Sequence, residues 1–372
     1  MKTENKINII ISGGGTGGHI FPAVAIADEL KERLGNGVEI LFVGAEGRME
    51  MEKVPEAGYR IEGLSVSGFQ RSLSLKNLSF PFKLAGSLVK AGKIIKRFKP
   101  SAAIGTGGYA SGPLLYRAAL KGIPTLILEQ NSYPGITNKI LAGKVAVICT
   151  AYPGMEKYFP EEKIIVTGTP VRKEILNLKP DKGEALEFFG LQNDKKTLLV
   201  IGGSQGAKRI NEAIAANINK IVTRDVQLVW QTGKPSFESA KKTAAEAKFA
   251  KNIVVKDFIY KMDMAYAAAD LVVSRSGAIA VAEIVSARKP AVFIPLPSAA
   301  EDHQTHNAKM ICDKNAAIML NENEAGEKAG ELIAGLLHNN QKLDELKKNI
   351  GKFEKKDAAK EIVNIILKMI KR

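Results

Sequence analysis

The sequence predicts an α/β protein with two Rossmann-like, doubly wound domains that face each other across a cleft. Apolar runs of strand length alternate with segments of helical period along the whole chain. Each half also opens with a strand, a glycine-rich loop and a helix, and 372 residues are too many for one ordinary core. Ligands of such domains bind at the carboxyl ends of the parallel strands.

In the first half, a strand at 7–11 is followed by the glycines of 13–18 and by a helix with Ile20, Val24 and Leu30 on one face. A domain boundary is expected at residue 170, within the motif Gly168-Thr169-Pro170-Val171-Arg172. The other strands predicted in this half are 38–43, 102–104, 125–128, 145–149 and 164–166.

The second half repeats this order with a strand at 197–201, the loop 202–206 and one helix carrying Ile210, Ile214, Ile218 and Ile221. This domain is expected to span 171–351. The last helix, 355–371, is highly charged, and its composition alone is compatible with packing on either domain. The other strands predicted here are 227–231, 253–255, 271–273 and 291–294.

Composition excludes several classes of protein. Two cysteines cannot form a disulfide framework, 45% hydrophobic residues are too many for a disordered chain, and the glycines have no collagen period. No apolar stretch of about 18 residues occurs, and the N-terminal segment lacks a signal cleavage site, so we expect neither export nor a membrane span.

The formal net charge of +15 is concentrated in one stretch. Residues 63–128 contain no Asp or Glu but ten Lys and Arg. Nucleic acid, an anionic membrane surface and a phosphorylated substrate are all suitable partners for such a stretch. The interleaved apolar residues favour a membrane surface over nucleic acid, although an ordinary core helix with solvated lysines gives the same pattern. The apolar residues are Phe69, Leu73, Leu75, Leu78, Phe80, Phe82, Leu84 and Leu88.

Three glycine-rich loops follow predicted strands, at 13–18, 105–108 and 202–206. Glycine lets backbone N–H groups approach an anion, and the following helix adds a partial positive charge. Tight strand-to-helix turns need glycine as well, so any single loop is weak evidence. None of the loops has the Lys-Ser/Thr ending of a P-loop, which argues against ATP hydrolysis.

The first loop, Gly13-x-Gly15-x-x-Gly18, also matches the dinucleotide fingerprint, so a nicotinamide oxidoreductase is an alternative. The acidic residue expected after the second strand is missing, because Val43-Gly44-Ala45 stands there. His19 follows the last glycine, where a helix N-terminus favours a neutral imidazole that can accept a proton. A simple helix-capping role is the other interpretation of His19.

The segment Ser274–Glu283 is the most specific local pattern. A Ser/Gly turn opens a small, apolar helix, and Glu283 shares a face with Ser276 and Ile279. Such a carboxylate can accept two hydrogen bonds from a ribose diol while the helix N–H groups hold a diphosphate. A purely structural glutamate is the alternative.

Two polar clusters complete the candidate site residues. Residues 301–307 hold two carboxylates, two imidazoles and two amides; sugar-hydroxyl recognition, a polar helix start and a metal site are all compatible, but His303 and His306 lack evident further ligands. Glu129-Gln130-Asn131 follows a predicted strand, where the first-domain site belongs.

Taken in order, these motifs resemble the MurG family of bacterial N-acetylglucosaminyltransferases. The resemblance implies a GT-B glycosyltransferase fold, UDP-N-acetylglucosamine as donor and undecaprenyl-pyrophosphoryl-MurNAc-pentapeptide as acceptor, at the inner face of the plasma membrane. It implies an acceptor- and membrane-binding domain at 1–170, with the C-terminal helix, about 352–372, packed back on it, and a donor domain at 171–351. No metal, cofactor or nucleic acid is expected. The motifs are 14–22, 105–109, 129–131, 168–172, 202–207 and 274–278.

The resemblance also assigns individual residues. It places Asn131 on the transferred sugar, the backbone of Ile259 on the uracil, and Glu283 on the ribose. Loop residues Gly105, Thr106, Gly107 and Gly108 are expected at the acceptor pyrophosphate. The remaining donor-site residues are Thr16, Gly17, Gly18, Arg172, Ser204, Ala278, Ile279, Ala280, Val281, Ala282 and Gln304.

The chemistry expected is one in-line displacement that inverts the α-linked sugar to a β-linked product. It requires removal of a hydroxyl proton and stabilisation of the departing diphosphate. His19 is the first candidate for the base and Glu129 the second, while helix N-termini and Arg275 can stabilise the diphosphate. A non-catalytic, basic membrane- or nucleic-acid-binding protein is the alternative from another class.

Overall fold

The computed structural model describes residues 6–66, 80–176, 178, 180–203, 205–355 and 357–371. Contacts between Cα atoms divide the chain into an N-terminal unit, 1–171 with 357–372, and a C-terminal unit, 172–356. Each unit contains helices packed on a parallel sheet, as the alternating pattern predicts.

The two sheets share one order of strands. Among the described residues, the N-terminal strands are β1 (Ile7–Gly13), β2 (Val38–Ala45), β3 (Arg60–Leu64), β4 (Ala102–Gly107), β5 (Thr125–Glu129), β6 (Val147–Thr150) and β7 (Ile164–Val166). The C-terminal strands are β8 (Lys196–Ile201), β9 (Val226–Gln231), β10 (Ile253–Lys256), β11 (Leu271–Ser274), β12 (Ala291–Phe293) and β13 (Ile318–Met319). The sheet orders are β3-β2-β1-β4-β5-β6-β7 and β10-β9-β8-β11-β12-β13. Each order reverses beside its first strand, which is where doubly wound sheets bind ligands.

The helices of the N-terminal unit include the long α1, which follows β1, and α3, which carries much of the acid-free stretch. They are α1 (Gly17–Leu34), α2 (Glu50–Glu56), α3 (Phe80–Phe98), α4 (Ser111–Leu120), α5 (Ile136–Leu141) and, from the end of the chain, α16 (Ala358–Ile370). The C-terminal unit has α6 (Lys173–Leu176), α7 (Lys182–Phe189), α8 (Lys208–Ala216), α9 (Ile218–Ile221), α10 (Phe237–Glu246), α11 (Met262–Ala268), α12 (Ala278–Ser286), α13 (His303–Cys312), α14 (Glu322–Leu337) and α15 (Asn340–Ile350).

The N-terminal sheet is buried on both faces. Ile9 and Ile11 of β1 pack in a core with α1, while Ile10 between them packs in a second core with α3 and α4. Successive side chains of a strand point to opposite faces, so a run of isoleucines serves both layers.

The last helix, α16, returns to the N-terminal unit. Ile362, Val363 and Ile366 are wholly buried in the same core as the α1 residues Ile26 and Leu30. These apolar side chains recur at three- and four-residue spacing, which gives the charged helix one apolar stripe.

The single helix predicted after the glycine loop 202–206 is wrong in one respect, because it is broken at Asn217. The Asn217 side chain donates to the carbonyls of Ala213 and Gly326, and the helix is divided into α8 and α9. Asparagine competes in this way for backbone hydrogen bonds.

Two edge strands, β3 and β13, were not predicted from the sequence. Their residues are mostly half-buried, and β13 has only two residues. Neither strand has the long apolar run that marks the central strands, so the sequence signal for these two is weak.

Candidate functional site

Two glycine loops meet at the carboxyl ends of β1 and β4 in the N-terminal unit. The N–H of Gly14 donates to the carbonyl of Gly107 at 3.3 Å. Gly108 has φ +91°, and a Cβ there would lie 2.4 Å from the Gly14 oxygen. The glycines are therefore required by the close approach of two backbones.

A buried glutamate on α2 fastens the first loop. The Glu50 carboxylate accepts hydrogen bonds from the N–H groups of Gly15 at 2.8 Å and Ala45 at 2.9 Å, and the residue is 1% exposed. A Cβ at Gly14 would collide with this carboxylate at 2.1 Å. Glu50 was not predicted from the sequence, since an acidic residue in a short charged helix carries no motif.

His19 lies in the first turn of α1, and its orientation is defined by the same loop. Its Nδ1 is 2.8 Å from the carbonyl oxygen of Gly14, which can only accept, so Nδ1 carries a proton. In the neutral ring Nε2 is then an acceptor. A Cβ on Gly107 would lie 2.8 Å from Nε2, so that nitrogen is at the second glycine loop.

Glu129 ends β5 and organises the loop that follows it. Its carboxylate accepts from the Asn131 backbone and side chain at 3.0 and 3.1 Å, from the Gly135 N–H at 3.1 Å and from the Asn138 side chain at 2.8 Å. The residue is 2% exposed. These contacts favour a positioning role for Glu129 and an orienting effect on Asn131, rather than proton abstraction by Glu129.

Burial limits which residues of the glycine loops 13–18 and 105–108 a ligand can contact. Gly105 and Thr106 are buried within β4, and the Thr106 hydroxyl donates to the His19 carbonyl at 2.7 Å. Gly107 is buried, whereas Gly108 is half-buried. Gly108 is thus the member of 105–108 with exposed surface that a ligand can reach. Thr16 is exposed, and Gly17 and Gly18 are half-buried at the N-terminus of α1.

The glycine loop of the C-terminal unit also packs backbone against backbone. Gly206 has φ +78°, and a Cβ there would lie 2.2 Å from the carbonyl oxygen of Thr232. Ser204, predicted as a donor contact, lies outside the described residues.

Gln231, at the end of β9, joins this loop to the segment expected at the uracil. Its side chain donates to the Gly203 carbonyl at 3.1 Å and accepts from the Ile259 N–H at 2.9 Å. The residue is 3% exposed, so its amide is held in one orientation. The sequence analysis included Gln231 in a strand but did not identify this function.

The N-terminus of α12 follows the end of β11 and is fixed by α13. The Ser276 hydroxyl donates to the Gln304 carbonyl at 2.8 Å, and the Gln304 side-chain oxygen accepts from the Leu296 N–H at 3.0 Å. The amide NH₂ of Gln304 is therefore the group that can donate to a sugar hydroxyl. The first N–H groups of α12, from Ala278 to Ala280, have no acceptor within the helix by its geometry, and they suit an anion.

Glu283 is buried on α12 and is held from two sides. Its Oε1 accepts from Arg172 Nε at 3.0 Å and Nη2 at 2.9 Å, and its Oε2 accepts from the Tyr266 hydroxyl at 3.2 Å. Burial raises the pKa of Glu283 above its ordinary value, while the Arg172 charge and the Tyr266 hydrogen bond act in the opposite direction. Arg172 and Glu283, 111 residues apart, were both predicted; Tyr266 was not.

The diphosphate role expected of Arg275 is not supported by its contacts. Its guanidinium donates to the carbonyls of Ile294 and Pro295 at 3.0 Å and pairs with Glu322 of α14. Arg275 therefore joins the ends of two strands to a helix, and the helix N–H groups are the remaining candidates for the diphosphate.

Residues of the polar cluster 301–307 range from buried, with contacts inside the protein, to exposed. Glu301 and Asp302 have φ of +54° and +50°, and the buried Asn307 donates to the Ser276 carbonyl at 3.2 Å. Across the described ranges, no group of three or more His, Cys, Asp or Glu residues has an arrangement suited to a metal ion.

The acid-free stretch is less positive in the fold than in the sequence. Lys90 of α3 pairs with Glu46 at 2.7 Å, and Arg97 pairs with Glu62. Phe82 is 80% exposed beside Lys83, so an apolar and basic surface remains on α3. None of the helices in the described part of the chain is both long and apolar enough to cross a bilayer. Arg71, Lys76, Phe69, Leu73, Leu75 and Leu78 lie outside the described residues.

Comparison with known proteins gives one consistent family. Residues 9–150 match the glycosyltransferase family 28 N-terminal domain, and residues 197–362 match the glycosyltransferase family 28 C-terminal domain. Two curated relatives carry the name UDP-N-acetylglucosamine--N-acetylmuramyl-(pentapeptide) pyrophosphoryl-undecaprenol N-acetylglucosamine transferase. The relative from Christiangramia forsetii is 50% identical over 99% of both chains, and that from Flavobacterium psychrophilum is 49% identical over 98% of both. The crystal structure of Acinetobacter baumannii MurG has a TM-score of 0.79 and 31% identity, covering 97% of this chain and 99% of that one.

Proposed function

We propose that this chain, which belongs to glycosyltransferase family 28, transfers N-acetylglucosamine from UDP-N-acetylglucosamine to undecaprenyl-pyrophosphoryl-MurNAc-pentapeptide. The chain has a GT-B fold and is a UDP-N-acetylglucosamine-dependent hexosyltransferase that converts lipid I to lipid II in peptidoglycan synthesis. The observation that carries this conclusion is the near-full-length identity of about one half to relatives of that activity.

In the proposed reaction, the C4 hydroxyl oxygen of MurNAc attacks the anomeric carbon of N-acetylglucosamine. The bond from that carbon to the diphosphate breaks, UDP leaves with the electron pair, and the configuration at the anomeric carbon is inverted. The hydroxyl proton goes to His19 Nε2, the acceptor atom of a ring whose Nδ1–H donates to Gly14. The Nε2 atom adjoins Gly107, which belongs to the loop 105–108 proposed for the acceptor pyrophosphate.

Charge that develops on the departing diphosphate is stabilised by the N-terminus of α12. The N–H groups of Ala278, Ile279 and Ala280 point along the helix axis toward the anion, where the helix dipole adds to their effect. This part of the proposal requires no metal ion.

The donor nucleotide is assigned to the C-terminal unit. Glu283 binds the ribose, Arg172 neutralises and orients Glu283, the Ile259 backbone meets the uracil, and Gln304 donates to sugar hydroxyls. Thr16, Gly17, Gly18 and Asn131 of the N-terminal unit are proposed at the transferred sugar.

Glu283→Ala tests the donor assignment. We expect UDP affinity to fall by roughly 10- to 100-fold, because the charged acceptor proposed for the ribose is lost. Titration calorimetry with UDP measures this directly. An unchanged affinity would remove the ribose role of Glu283.

The acceptor lipid and the cytoplasmic face of the plasma membrane are assigned to the N-terminal unit. Exposed Phe82 and Val89 on α3 supply apolar surface, and the basic residues around them suit anionic headgroups. Neither this peripheral attachment nor the acceptor lipid requires nucleic acid as a partner.

Transfer of radiolabelled N-acetylglucosamine to a lipid-linked MurNAc-pentapeptide tests the whole proposal. The expected result is label in the lipid product, increased by anionic liposomes and retained in the presence of a chelator. Absence of transfer, combined with thermal stabilisation by NAD but not by UDP, would favour the oxidoreductase alternative instead.

A further inference from the structure

The C-terminal unit contains an open pocket of about 540 Å³, formed by residues outside the proposed donor site. It lies between the residue that follows the C-cap of α12 and the second half of α15 with the turn after it. Among the described residues that line it, none has an apolar side chain, and four are positively charged. The residues of this basic pocket are Arg288, Asp344, Lys347, Lys348, Gly351 and Lys352.

The basic pocket and the proposed donor site lie at opposite ends of the same sheet. The donor residues follow the carboxyl ends of the strands, whereas Arg288 precedes β12 and lies at the amino end of that strand. The nine residues of α12 separate the basic pocket from the N-H groups proposed for the diphosphate by roughly 13 Å. A ligand in the basic pocket would therefore not compete directly with UDP.

Arg288 enters the basic pocket from the end of α12. It has φ +50° at the position after the helix C-cap, where glycine is the usual residue. Its Nε and Nη2 donate to Glu354 Oε2 at 2.8 and 2.5 Å. Within the described ranges Nη1 forms no hydrogen bond, so this part of the guanidinium is available to a ligand.

The lysines that α15 contributes have no carboxylate to compensate them. Lys347 and Lys348 are exposed, and neither forms an ion pair with another residue in the described part of the chain. Lys342 of the same helix pairs with Glu345 at 2.9 Å and does not line the basic pocket. The positive charge of the basic pocket is therefore not neutralised locally, as it is one turn earlier.

The ammonium group of Lys289 senses this charge. Its Nζ is half-buried and donates to the carbonyl of Ala269 at 2.9 Å. Burial first, and then the charges of Lys347 and Lys182, lower the pKa of Lys289 to about 8, while Asp270 acts in the opposite direction. The positive field of Lys347 thus reaches a second cation, and an anion in the basic pocket would offset this repulsion.

The ends of helices attract cations even without a ligand, because the last carbonyls carry partial negative charge. Lys347 and Lys348 lie in the last turn of α15 and can have this role. Lys352 lies beyond the helix and donates to the amide of Asn349, and Arg288 comes from another helix. Helix ends alone do not require side chains from these separate segments to line one pocket.

We propose that the basic pocket binds a soluble, multivalent phosphate compound through Arg288 and its three lysines. Arg and Lys side chains that converge from several segments form the charge-assisted hydrogen bonds that hold phosphate groups. A membrane surface is the poorer ligand, because the described lining residues supply no apolar group to insert into it. The inference does not depend on the proposed function.

Lysine footprinting of the unaltered full chain tests the site directly. The protein is acetylated with an amine-reactive reagent, with and without inorganic tripolyphosphate, and mass spectrometry gives the rate at each lysine. Because acetylation requires the uncharged amine, an anion that favours the ammonium form slows it. We expect roughly 3- to 10-fold slower labelling of Lys347 and Lys348 and no change at Lys342. Sodium chloride at equal ionic strength should give no such selective protection.

Three variants measure the contribution of individual charges. Lys347→Ala should raise the tripolyphosphate concentration that half-protects Lys348 by about 3- to 10-fold, because one charged donor is lost. Lys342→Ala is the matched control, since it removes the same charge from the same helix outside the basic pocket, and should have no effect. Asp344→Asn removes a repulsive carboxylate and should lower the half-protecting concentration by about 2- to 3-fold.

Selective protection of Lys347 and Lys348, weakened by Lys347→Ala and strengthened by Asp344→Asn, supports the inference. Equal protection at Lys342, or the same protection by sodium chloride, would show simple screening and overturn it. Protection by phosphatidylglycerol vesicles but not by tripolyphosphate would also overturn it, because the ligand would then be a lipid surface.

The design does not depend on any one variant. If Lys347→Ala does not fold, footprinting of the unaltered protein still locates the anion. Tighter binding by Asp344→Asn is a gain that damage to the fold would not produce, so an unchanged or weaker protection in that variant counts against the basic pocket.

Discussion

The two units repeat one sheet order but use their buried carboxylates differently. At the candidate site of the N-terminal unit, the described contacts of Glu50 and Glu129 come from backbone N–H groups and asparagine amides. In the C-terminal unit, Glu283 accepts from the ionised side chain of Arg172 and the hydroxyl of Tyr266. A buried carboxylate that accepts from its own loops stabilises their shape, whereas Glu283 is held by two side chains and is the carboxylate proposed to bind the ribose.

Burial alone does not identify a functional acid in this protein. Glu50, Glu129 and Glu283 are 1%, 2% and 6% exposed, so their accessibility does not distinguish them. Their donors differ, because the charge of Glu283 is compensated by Arg172, whereas Glu50 and Glu129 accept from uncharged groups. An arginine partner is not sufficient either, since the buried Glu29 of α1 accepts from Arg33.

The largest effect on activity is expected from substitution of His19. It tests whether this residue takes part in the reaction or only supports the loop structure of the N-terminal unit. His19→Ala should lower kcat by about 10² to 10⁴, the usual value of a general base, with UDP affinity within about twofold of the original. Steady-state transfer and calorimetry measure the two quantities.

His19→Asn is the matched control for this prediction. The asparagine NH₂ group can reproduce the Nδ1 hydrogen bond to Gly14 but provides no base at the Nε2 position. Equal losses in both variants indicate proton abstraction. A nearly active His19→Asn would mean that the histidine only holds the loop.

Substitution of glycine tests the rigidity of the N-terminal loops. Gly108→Ala should lower the free energy of unfolding by about 3 kcal/mol or more, because its Cβ would lie 2.4 Å from the Gly14 oxygen. Gly15→Ala, with φ +85° but open space around its Cβ, should lower it by about 1 kcal/mol. Urea unfolding measures both; equal effects would contradict the close packing of the two loops.

The loop-holding role of Glu50 predicts a smaller effect, confined to one unit. Glu50→Gln should reduce the free energy of unfolding by about 1–3 kcal/mol, since an NH₂ group would face one of two N–H donors. UDP affinity, assigned to the C-terminal unit, should stay within about twofold. A selective loss of UDP binding without destabilisation would contradict the loop-holding role of Glu50.

The smallest effects are expected on the basic surface of α3. Lys93→Ala should weaken binding to anionic vesicles by about 1 kcal/mol, because this lysine is exposed. Lys90→Ala should have less effect, since Lys90 is paired with Glu46. Vesicle sedimentation at low and high salt measures this, and UDP affinity should depend much less on salt. Equal salt dependence would undo the division between the units.

Much of the fold follows from patterns that are local in sequence. The central strands were predicted close to their observed bounds because they are continuous apolar runs, as in β5, predicted at 125–128 and observed at Thr125–Glu129. The edge strand β3, with its half-buried residues, and the break at Asn217 were missed. Their hydrogen-bond partners are distant in the chain, and no local pattern reports them.

The candidate site divides in the same way. Its glycine loops, His19, Arg172 and Glu283 could be predicted, since each belongs to a motif at a strand end. Glu50, Gln231 and Tyr266 could not, although they hold those motifs in place. Supporting residues act through one or two hydrogen bonds, which leave no signature in residue type or spacing.

The sequence by itself determined the fold class, the repeat of strand, glycine loop and helix, and the family of the chain, because these depend on residue type at short spacing. The three-dimensional contacts were needed to show which carboxylates support loops and that Arg275 pairs with Glu322. Each of these depends on contacts between distant segments. Hydrogen bonds and ion pairs form where the fold brings donors and acceptors together, and that proximity is not encoded in any single stretch of the chain.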